Sequence, residues 1–390
     1  MSVGLASGVE EILERAATDG VVPGAVFAQT GPDGDVVQAT AGKLRIDEEG
    51  PVTTATMFRL MSMTKALATA GALQLVEQGK LDLEQEVAAI IPAFGELKVL
   101  EGFDGDQPRL RAPVRQATVA ELMTHTAGHG YGFSNANLLR YLELTGLPDP
   151  FSGLRAGLGA PLVADPGTEW NYGINTDWLG QVIESVSGQD LDSYLKEHLF
   201  SPLGMSDTTF SLSEEQRSRM MAIHARTPDG GLAVMDMEAP VVQPEFWPAG
   251  HGAYSTAGDY ARFMAALLNG GELGGERVLR RETVELMFTD HLKGVSLPDG
   301  IKSEMPELAN DVPPLPFAQG FGLGLHLFAE DLPGMRRAGS GDWSGLMNCY
   351  YWIDPASDIA CVFLTQVLPF YDAAIVEAGL AMEQAVYAGI

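Results

Sequence analysis

The chain is 390 residues long, with 46% hydrophobic and 19% charged residues, a composition typical of a folded globular protein. Lys and Arg number 24 against 52 Asp and Glu, and the net charge of -28 repels polyanions. We therefore expect no binding to nucleic acid or to anionic membranes. Residues 1–18 lack the basic and continuous apolar segments of an export signal, and no apolar run of about 18 residues is present. The sequence thus predicts a cytoplasmic protein.

Near the N-terminus the pattern predicts a helix followed by a β-hairpin. An amphipathic helical pattern extends to residue 18, and residues 24–29 and 35–40 predict strands joined by a turn at 31–34. Residues 62–78 then form an almost wholly apolar helical pattern that ends before Gly79. A helix of this composition must be buried.

The middle of the chain is predicted to be mainly helical, and strands return toward the C-terminus. Residues 297–316 contain five prolines and no periodicity, and we expect a surface excursion near the cleft that affects selectivity. Helices are predicted at 119–124, 135–144, 176–187, 191–199, 257–268 and 371–387, and strands at 320–326, 346–353 and 359–365.

Strands at both ends with helices between them predict an α/β fold. One antiparallel sheet is assembled from the two ends of the chain, covered by the first and last helices, with a helical lobe inserted. The expected domains are residues 1–85 and 246–390, which form the two parts of the α/β domain, and residues 86–245, which form the helical domain. The cleft between the two lobes is the expected site.

The two cysteines, Cys349 and Cys361, are too few for a disulfide framework and lack CxxC spacing. Both lie in apolar strand-like runs, which favours buried free thiols. The seven histidines form neither an HExxH motif nor another cluster of metal ligands. We expect neither a metal nor a cofactor.

A Ser-x-x-Lys motif opens the apolar helix. The three-residue spacing places Ser62 and Lys65 on one helical face. Lys65 is the one charged residue between Leu60 and Val76, so loss of water favours a neutral amine that accepts the serine proton. The helix N-terminus stabilises a developing alkoxide. The structural alternative is a serine near a helix cap and a lysine that extends from the core.

Two further segments supply candidate catalytic groups. Tyr172 lies in a loop just before a predicted helix, where a phenol that shares its proton with Lys65 acts as general base; packing on Trp170 is the alternative. Residues 341–346 lead into a predicted strand, expected at the edge of the sheet beside the nucleophile. There the N–H groups of Leu346 and Ser62 form an oxyanion hole, and Gly345 admits the substrate closely. A glycine-rich turn before a hairpin is the alternative.

Four aromatic or imidazole side chains lie in the turn at residues 125–129, just after it, or near the expected cleft. Tyr131 is a candidate for substrate binding, although packing on Phe133 explains it equally well. We expect His125 and His129 to be structural. His251 lies in a glycine-rich segment that either faces the pocket or packs the two lobes together.

In this order the motifs resemble the serine β-lactamase and penicillin-binding-protein superfamily, specifically its class C β-lactamase-like branch with the family VIII carboxylesterases. The resemblance spans nearly the whole chain and implies a β-lactamase/transpeptidase-like fold. It also implies that Ser62 is the acylated nucleophile, Lys65 its partner and Tyr172 the second base. The segments that carry it are MFRLMSMTK at 57–65, ELMTHTAG at 121–128, PGTEWNY at 166–172, PLGM at 202–205 and YSTAGD at 254–259.

Two positions depart from the lactamase pattern. The Tyr-x-Asn motif ends in Ile174, which removes the amide that holds a β-lactam side chain. The Lys-Thr-Gly motif is Trp343-Ser344-Gly345, so an apolar wall replaces the cation that would meet a β-lactam carboxylate. An alternative alignment on residues 339–341 shifts the oxyanion donor to Asp342. The departures favour a neutral ester as substrate.

The expected function is therefore hydrolysis of short-chain carboxylic esters through a Ser62 acyl-enzyme. Lys65 and Tyr172 move the proton, and Trp343 shapes the substrate pocket. The partner is a small-molecule ester, and the oligomeric state is left open. Alternatives are a β-lactamase or DD-peptidase-like activity, an acyltransferase that uses the same acyl-enzyme, and a binding module that has lost the chemistry.

Overall fold

The computed structural model of the chain describes residues 8–235 and 244–389. The part of the predicted first helix that precedes residue 8 lies outside these residues. The strands are β1 (Gly24–Thr30), β2 (Val36–Gly42), β3 (Phe58–Arg59), β4 (Val99–Asp104), β5 (Gln107–Arg111), β6 (Ile223–Arg226), β7 (Leu232–Met235), β8 (Tyr254–Ser255), β9 (Glu272–Leu273), β10 (Glu276–Arg277), β11 (Gln319–Phe321), β12 (His326–Phe328), β13 (Gly341–Gly345), β14 (Cys349–Asp354), β15 (Ile359–Leu364) and β16 (Val367–Leu368).

The helices follow most of the predicted positions. In addition, residues 61–63 form a 3-10 turn and residues 196–200 a π turn. The helices are α1 (Val9–Thr18), α2 (Thr64–Glu77), α3 (Val87–Ile90), α4 (Val119–Met123), α5 (Ala136–Thr145), α6 (Asn175–Ser187), α7 (Leu191–Leu195), α8 (Glu214–Ser218), α9 (Ala257–Leu268), α10 (Arg281–Met287) and α11 (Ala373–Ala388).

A seven-stranded antiparallel sheet joins the two ends of the chain, in the order β11-β12-β13-β14-β15-β1-β2. Strand β1 pairs with its hairpin partner β2 on one side and with β15 on the other, with Phe27 opposite Phe363. The predicted sheet from both termini is confirmed.

Helices cover both faces of this sheet because its strands alternate apolar side chains between two cores. Leu13 of α1 and Ile375 of α11 pack with Phe27 and Phe363 on one face. Val26 and Val362 point to the opposite face and pack with α9 in the larger core. The prediction that the first and last helices cover the sheet is therefore correct.

Helix α2 is the centre of the helical part and packs against α6 and α7. Gly71 is required at the α7 crossing, since a Cβ there would lie 2.6 Å from a methyl carbon of Leu195. Residues 86–245 also contain the hairpins β4-β5 and β6-β7, which the sequence pattern did not predict. The three-part domain division stays a prediction.

Two strand predictions are wrong. Residues 320–326, expected as one strand, form a hairpin in which β11 ends at Phe321 and β12 begins at His326. The turn between them includes Gly324 at a φ of 78°, a conformation that glycine adopts without strain. Because this hairpin pairs along the outer side of β13, β13 is an internal strand and not the expected edge strand. Leu346 lies in the turn after β13 and not on a strand.

The two cysteines are buried free thiols, as predicted. They lie on adjacent strands but at different levels, since Cys361 pairs with Trp352 and Cys349 pairs with Gly345 of β13. Among the helices of residues 8–235 and 244–389, none combines the length and apolar character needed to cross a bilayer.

Candidate active site

Ser62 lies in the 3-10 turn that leads into α2. The preceding residue, Met61, has a φ of 49°, a left-handed conformation that strains a residue with a side chain and is found most often at functional sites. Lys65 follows on the first turn of α2 and is 2% exposed. Its Nζ lies 3.1 Å from Ser62 Oγ, so the structure brings the two residues of the motif together.

The Lys65 ammonium is held by neutral oxygens. Its Nζ donates to the carbonyl oxygen of Gly250 at 2.7 Å and lies 3.4 Å from the hydroxyl oxygen of Tyr131. The rings of Tyr131 and Tyr172 lie 5.4 and 4.8 Å from Nζ, within the range of cation–π attraction. Ile174, at the last position of the Tyr-x-Asn motif, is fully buried and presents no polar group.

Tyr172 approaches the same serine from the loop before α6. Its hydroxyl oxygen lies 2.5 Å from Ser62 Oγ, a short hydrogen bond. The indole Nε1 of Trp343 donates to that hydroxyl oxygen at 3.3 Å. Trp343 was expected only as an apolar wall, but its indole also provides a hydrogen-bond donor to Tyr172. Trp170 stacks parallel to Tyr172 with 6.2 Å between ring centroids, as in the alternative interpretation of that tyrosine.

Tyr131, predicted as a substrate-binding residue, lies beneath the reacting groups. It is 2% exposed, and its ring stacks on Phe133 with centroids 5.1 Å apart and on Phe151 at 5.6 Å. The packing on Phe133 is the one that the sequence offered as an alternative. The structure thus places the Tyr131 hydroxyl against Lys65, and its binding role stays a prediction.

The end of β13 packs directly on the segment before Ser62. A Cβ on Gly345 would lie 2.4 Å from the carbonyl oxygen of Leu60, so only glycine permits this approach. Leu346 follows at once, and both Leu346 and Ser62 border the cleft. Their N–H groups as an oxyanion hole stay a prediction.

Ser62 and Tyr172 border a cleft of about 670 Å³ whose walls are mainly apolar. The predicted surface excursion, residues 297–316, forms one wall of this cleft. It is anchored by Glu304 N–H, which donates to the Phe133 carbonyl at 2.7 Å, and by Asn310 N–H, which donates to Phe370 at 2.9 Å. Further lining residues include Phe151, Trp170, Tyr172, Phe317, Phe328, Trp343, Ser344 and Tyr350.

The histidines around the site are buried and neutral near pH 7. Burial, with the charge of Lys65, holds the pKa of His125 well below its usual value. Burial alone lowers the pKa of His129 to about 3. Burial, opposed by Asp177, lowers the pKa of His251 to about 4. In the part of the chain that is described, no group of His, Cys, Asp or Glu is arranged to hold a metal ion.

Sequence reasoning missed two residues beside Lys65. Gly250 was assigned only to the packing of the two lobes, yet its carbonyl accepts from the ammonium. Asp177, whose carboxylate holds the N–H of Gly250 at 3.0 Å, was not singled out. Asp177 lies in the first turn of α6, where acidic residues are common because they stabilise the N-terminus of a helix. A single sequence therefore gives no reason to assign it any other role.

Comparison with known proteins matches residues 9–385 to the family described as Beta-lactamase. Monacolin J acid methylbutanoyltransferase of Aspergillus terreus is 33% identical over 97% of this chain and 95% of its own. Lovastatin esterase of Penicillium rubens is 29% identical over 93% of both chains. Among solved structures, a variant of simvastatin synthase from Aspergillus terreus superposes with a TM-score of 0.85 at 30% identity, covering 97% of this chain and 96% of the other. The predicted fold and superfamily are confirmed.

Proposed function

The chain belongs to the Beta-lactamase family, and from this premise we propose that it is a serine esterase that cleaves neutral carboxylic esters through a Ser62 acyl-enzyme. One observation carries the proposal. Ser62 Oγ lies within hydrogen-bond distance of both Lys65 Nζ, at 3.1 Å, and Tyr172, at 2.5 Å, at a mainly apolar cleft. A nucleophile beside two groups that exchange protons is the arrangement that acyl transfer requires.

In acylation, Ser62 Oγ forms a bond to the ester carbonyl carbon while its proton passes to Tyr172 or Lys65. The carbonyl electron pair moves onto oxygen, where the N–H groups of Ser62 and Leu346 stabilise the charge. The tetrahedral intermediate then collapses, the bond to the alcohol oxygen breaks, and the alcohol leaves with the transferred proton. Water repeats these steps on the acyl-enzyme and releases the acid.

The substrate class is supported by two positions. Trp343 stands where the lactamase motif has Lys, and Ile174 stands where it has Asn. Neither offers a charge or an amide to a β-lactam, whereas both are compatible with an uncharged ester. Turnover of β-lactams is therefore expected to be a side activity at most.

Acyl transfer to an alcohol is the second candidate function. It is supported by the relative that is 33% identical and is named a methylbutanoyltransferase. The apolar cleft favours it as well, because an alcohol with an apolar body gains about 25 cal/mol for each Å² that it buries, and water gains nothing. The bound alcohol then attacks the acyl-enzyme in place of water.

The test compares initial rates of hydrolysis of p-nitrophenyl acetate and butyrate by wild type, Ser62→Ala and Ser187→Ala. Ser187 lies at the end of α6 and serves as a control for loss of a serine hydroxyl. We expect a loss of about 10³-fold or more in Ser62→Ala and wild-type rates in Ser187→Ala. Ester turnover that survives in Ser62→Ala, or faster turnover of a chromogenic cephalosporin by wild type, contradicts the proposal.

The partition between water and alcohol is measured in the same reaction. An apolar alcohol is added to p-nitrophenyl butyrate, and the ratio of new butyrate ester to free butyrate is determined by chromatography. Transfer predicts that the ratio rises with the size of the alcohol at constant release of nitrophenol. A ratio that stays near zero for every alcohol removes the transferase candidate and leaves the esterase.

A further inference from the structure

A buried carboxylate lies directly behind the residue that holds Lys65. The Asp177 side chain is 1% exposed, and Oδ1 accepts the N–H of Gly250 at 3.0 Å. The carbonyl of the same glycine accepts from Lys65 Nζ at 2.7 Å. Gly250 is therefore held from both sides, by the carboxylate at its nitrogen and by the ammonium at its oxygen.

The close fit explains the glycine. A Cβ at position 250 would lie 2.6 Å from Asp177 Oδ2, so any larger residue would push the carboxylate away. Asp177 Oδ2 itself has no hydrogen-bond partner among the residues described. A buried carboxylate oxygen without a partner is costly unless a charge nearby compensates it.

His251 does not supply that charge. Its Nδ1 lies 3.7 Å from Asp177 Oδ1, but the ring is buried and its pKa is lowered to about 4, so it is neutral near pH 7. The Lys65 ammonium lies on the other side of Gly250 and donates to the carbonyl of the same residue. Other titratable groups around this pocket include Tyr131, Tyr172, His125, His129 and Asp149.

We infer that Asp177 is a positioning residue for Lys65: its carboxylate orients the Gly250 carbonyl toward Lys65 Nζ and places a buried negative charge behind the groups that exchange the serine proton. The inference rests on the proposed function, since it concerns the base of the same reaction. Asp177 lies behind Ser62 and Lys65, and we expect it to make no contact with the substrate. Its effect is thus expected in the pH dependence and in kcat, and not in KM.

The direction follows from charge. Removing a negative charge near Lys65 and Tyr172 favours their deprotonated forms. In Asp177→Asn, which keeps the shape and one acceptor oxygen, the acidic limb of the kcat/KM profile for p-nitrophenyl butyrate moves by about one pH unit to lower pH. We expect kcat at the optimum to fall about tenfold, because the Gly250 carbonyl is held less well, and KM to stay unchanged. Asp177→Ser provides a second neutral variant with a smaller side chain.

Asp192 offers a matched control. It is also buried, its Oδ1 accepts a backbone N–H from Phe210 at 3.0 Å, and its Oδ2 accepts from Lys196 at 2.7 Å, but neither of these contacts leads to Gly250 or Lys65. We expect Asp192→Asn to lower the melting temperature and leave the pH profile in place.

The outcomes separate the two proposals. A folded Asp177→Asn or Asp177→Ser whose pH profile superposes on wild type overturns the inference, and so does an equal shift in Asp192→Asn. If both Asp177 variants lose their cooperative melting transition while Asp192→Asn keeps it, Asp177 is a core residue and the inference is also overturned. If wild type shows no ester turnover that depends on Ser62, the proposed function is overturned instead.

Discussion

The molecule buries two cations, Lys65 and Arg336, in opposite ways. Arg336 is 8% exposed and forms direct ion pairs, at 2.6 Å with Glu383 and at 2.7 Å with Asp342. Lys65 is 2% exposed, and the partners of its Nζ in the described structure are neutral oxygens, with the carboxylate of Asp177 on the far side of Gly250.

Under the proposed function, the difference separates a structural cation from a reactive one. Burial opposes the charge of Arg336, but Glu383 and Asp342 outweigh it and raise the pKa of the guanidinium above its usual value. Such a group keeps its proton at every pH at which the protein is folded. Among the residues described, Lys65 Nζ contacts the oxygens of Ser62, Tyr131 and Gly250, and its contact with Ser62 Oγ is the one that proton exchange with the serine requires.

The largest effect is expected on the reactive side. Lys65→Met keeps the length of the side chain and removes the amine, so Ser62 loses one of its two proton acceptors. We expect kcat/KM for p-nitrophenyl butyrate to fall about 10³-fold, with a melting temperature equal to or above that of wild type. A variant within tenfold of wild-type activity would show that Lys65 is structural.

The structural cation should behave in the reverse way. Arg336→Met removes the cation that pairs with Glu383 and leaves Asp342 with His326, and we expect a loss of about 3–5 kcal/mol in the free energy of unfolding, measured in urea. Neutralising one of them in the double variant Arg336→Met with Glu383→Gln should recover part of that loss. An Arg336→Met protein as stable as wild type would refute the contrast.

A third, smaller effect concerns a buried imidazole. Both ring nitrogens of His129 lack partners in the described structure, and burial lowers its pKa to about 3, against about 6.5 when unfolded. Between these values only the unfolded chain binds the proton, so His129 makes stability fall as the pH falls, by up to about 1.4 kcal/mol per unit. Denaturation between pH 6 and 4 should show a shallower loss in His129→Leu. If the free energy of unfolding falls with pH as steeply in His129→Leu as in wild type, groups other than His129 cause the loss of stability.

The smallest effect tests the indole beside Tyr172. Trp343→Phe keeps an aromatic wall and removes the donor to the Tyr172 hydroxyl, a bond of about 1 kcal/mol, so kcat/KM should fall about fivefold. Trp170 also borders the cleft, but its Nε1 has no hydrogen-bond partner in the part of the chain that is described. If Trp170→Phe costs as much as Trp343→Phe, the loss reflects ring size and not the hydrogen bond.

The sequence located the parts of the site that depend on local spacing and recognisable motifs. Ser62 and Lys65 are one helical turn apart, and the loop motif at Tyr172 placed the phenol before α6. Contacts between segments that lie far apart in the sequence could not be predicted. Trp343 bonds a tyrosine 171 positions away, and Asp177 meets Lys65 only through Gly250, because the packing of separate elements decides both.

In the fold, too, the features that depend on local sequence were predicted and those that depend on distant residues were not. Helix α9 was predicted at its observed bounds because its apolar period and its Thr256 cap are local. The segment at 320–326 was misjudged because alternating glycines and apolar residues suit a strand and a tight hairpin equally well. Only the pairing of β11 and β12 with β13 decides between them, and that pairing depends on distant residues.

The most direct test of the central claim is to trap the acyl-enzyme. Wild type, Ser62→Ala and Lys65→Met are mixed with p-nitrophenyl butyrate, quenched in acid within the first turnover and analysed by peptide mass spectrometry. The account predicts one butyryl group on the peptide that contains Ser62 in wild type, none in Ser62→Ala, and strongly delayed labelling in Lys65→Met. A butyryl group on another residue, or labelling of Lys65→Met at the wild-type rate, would contradict it.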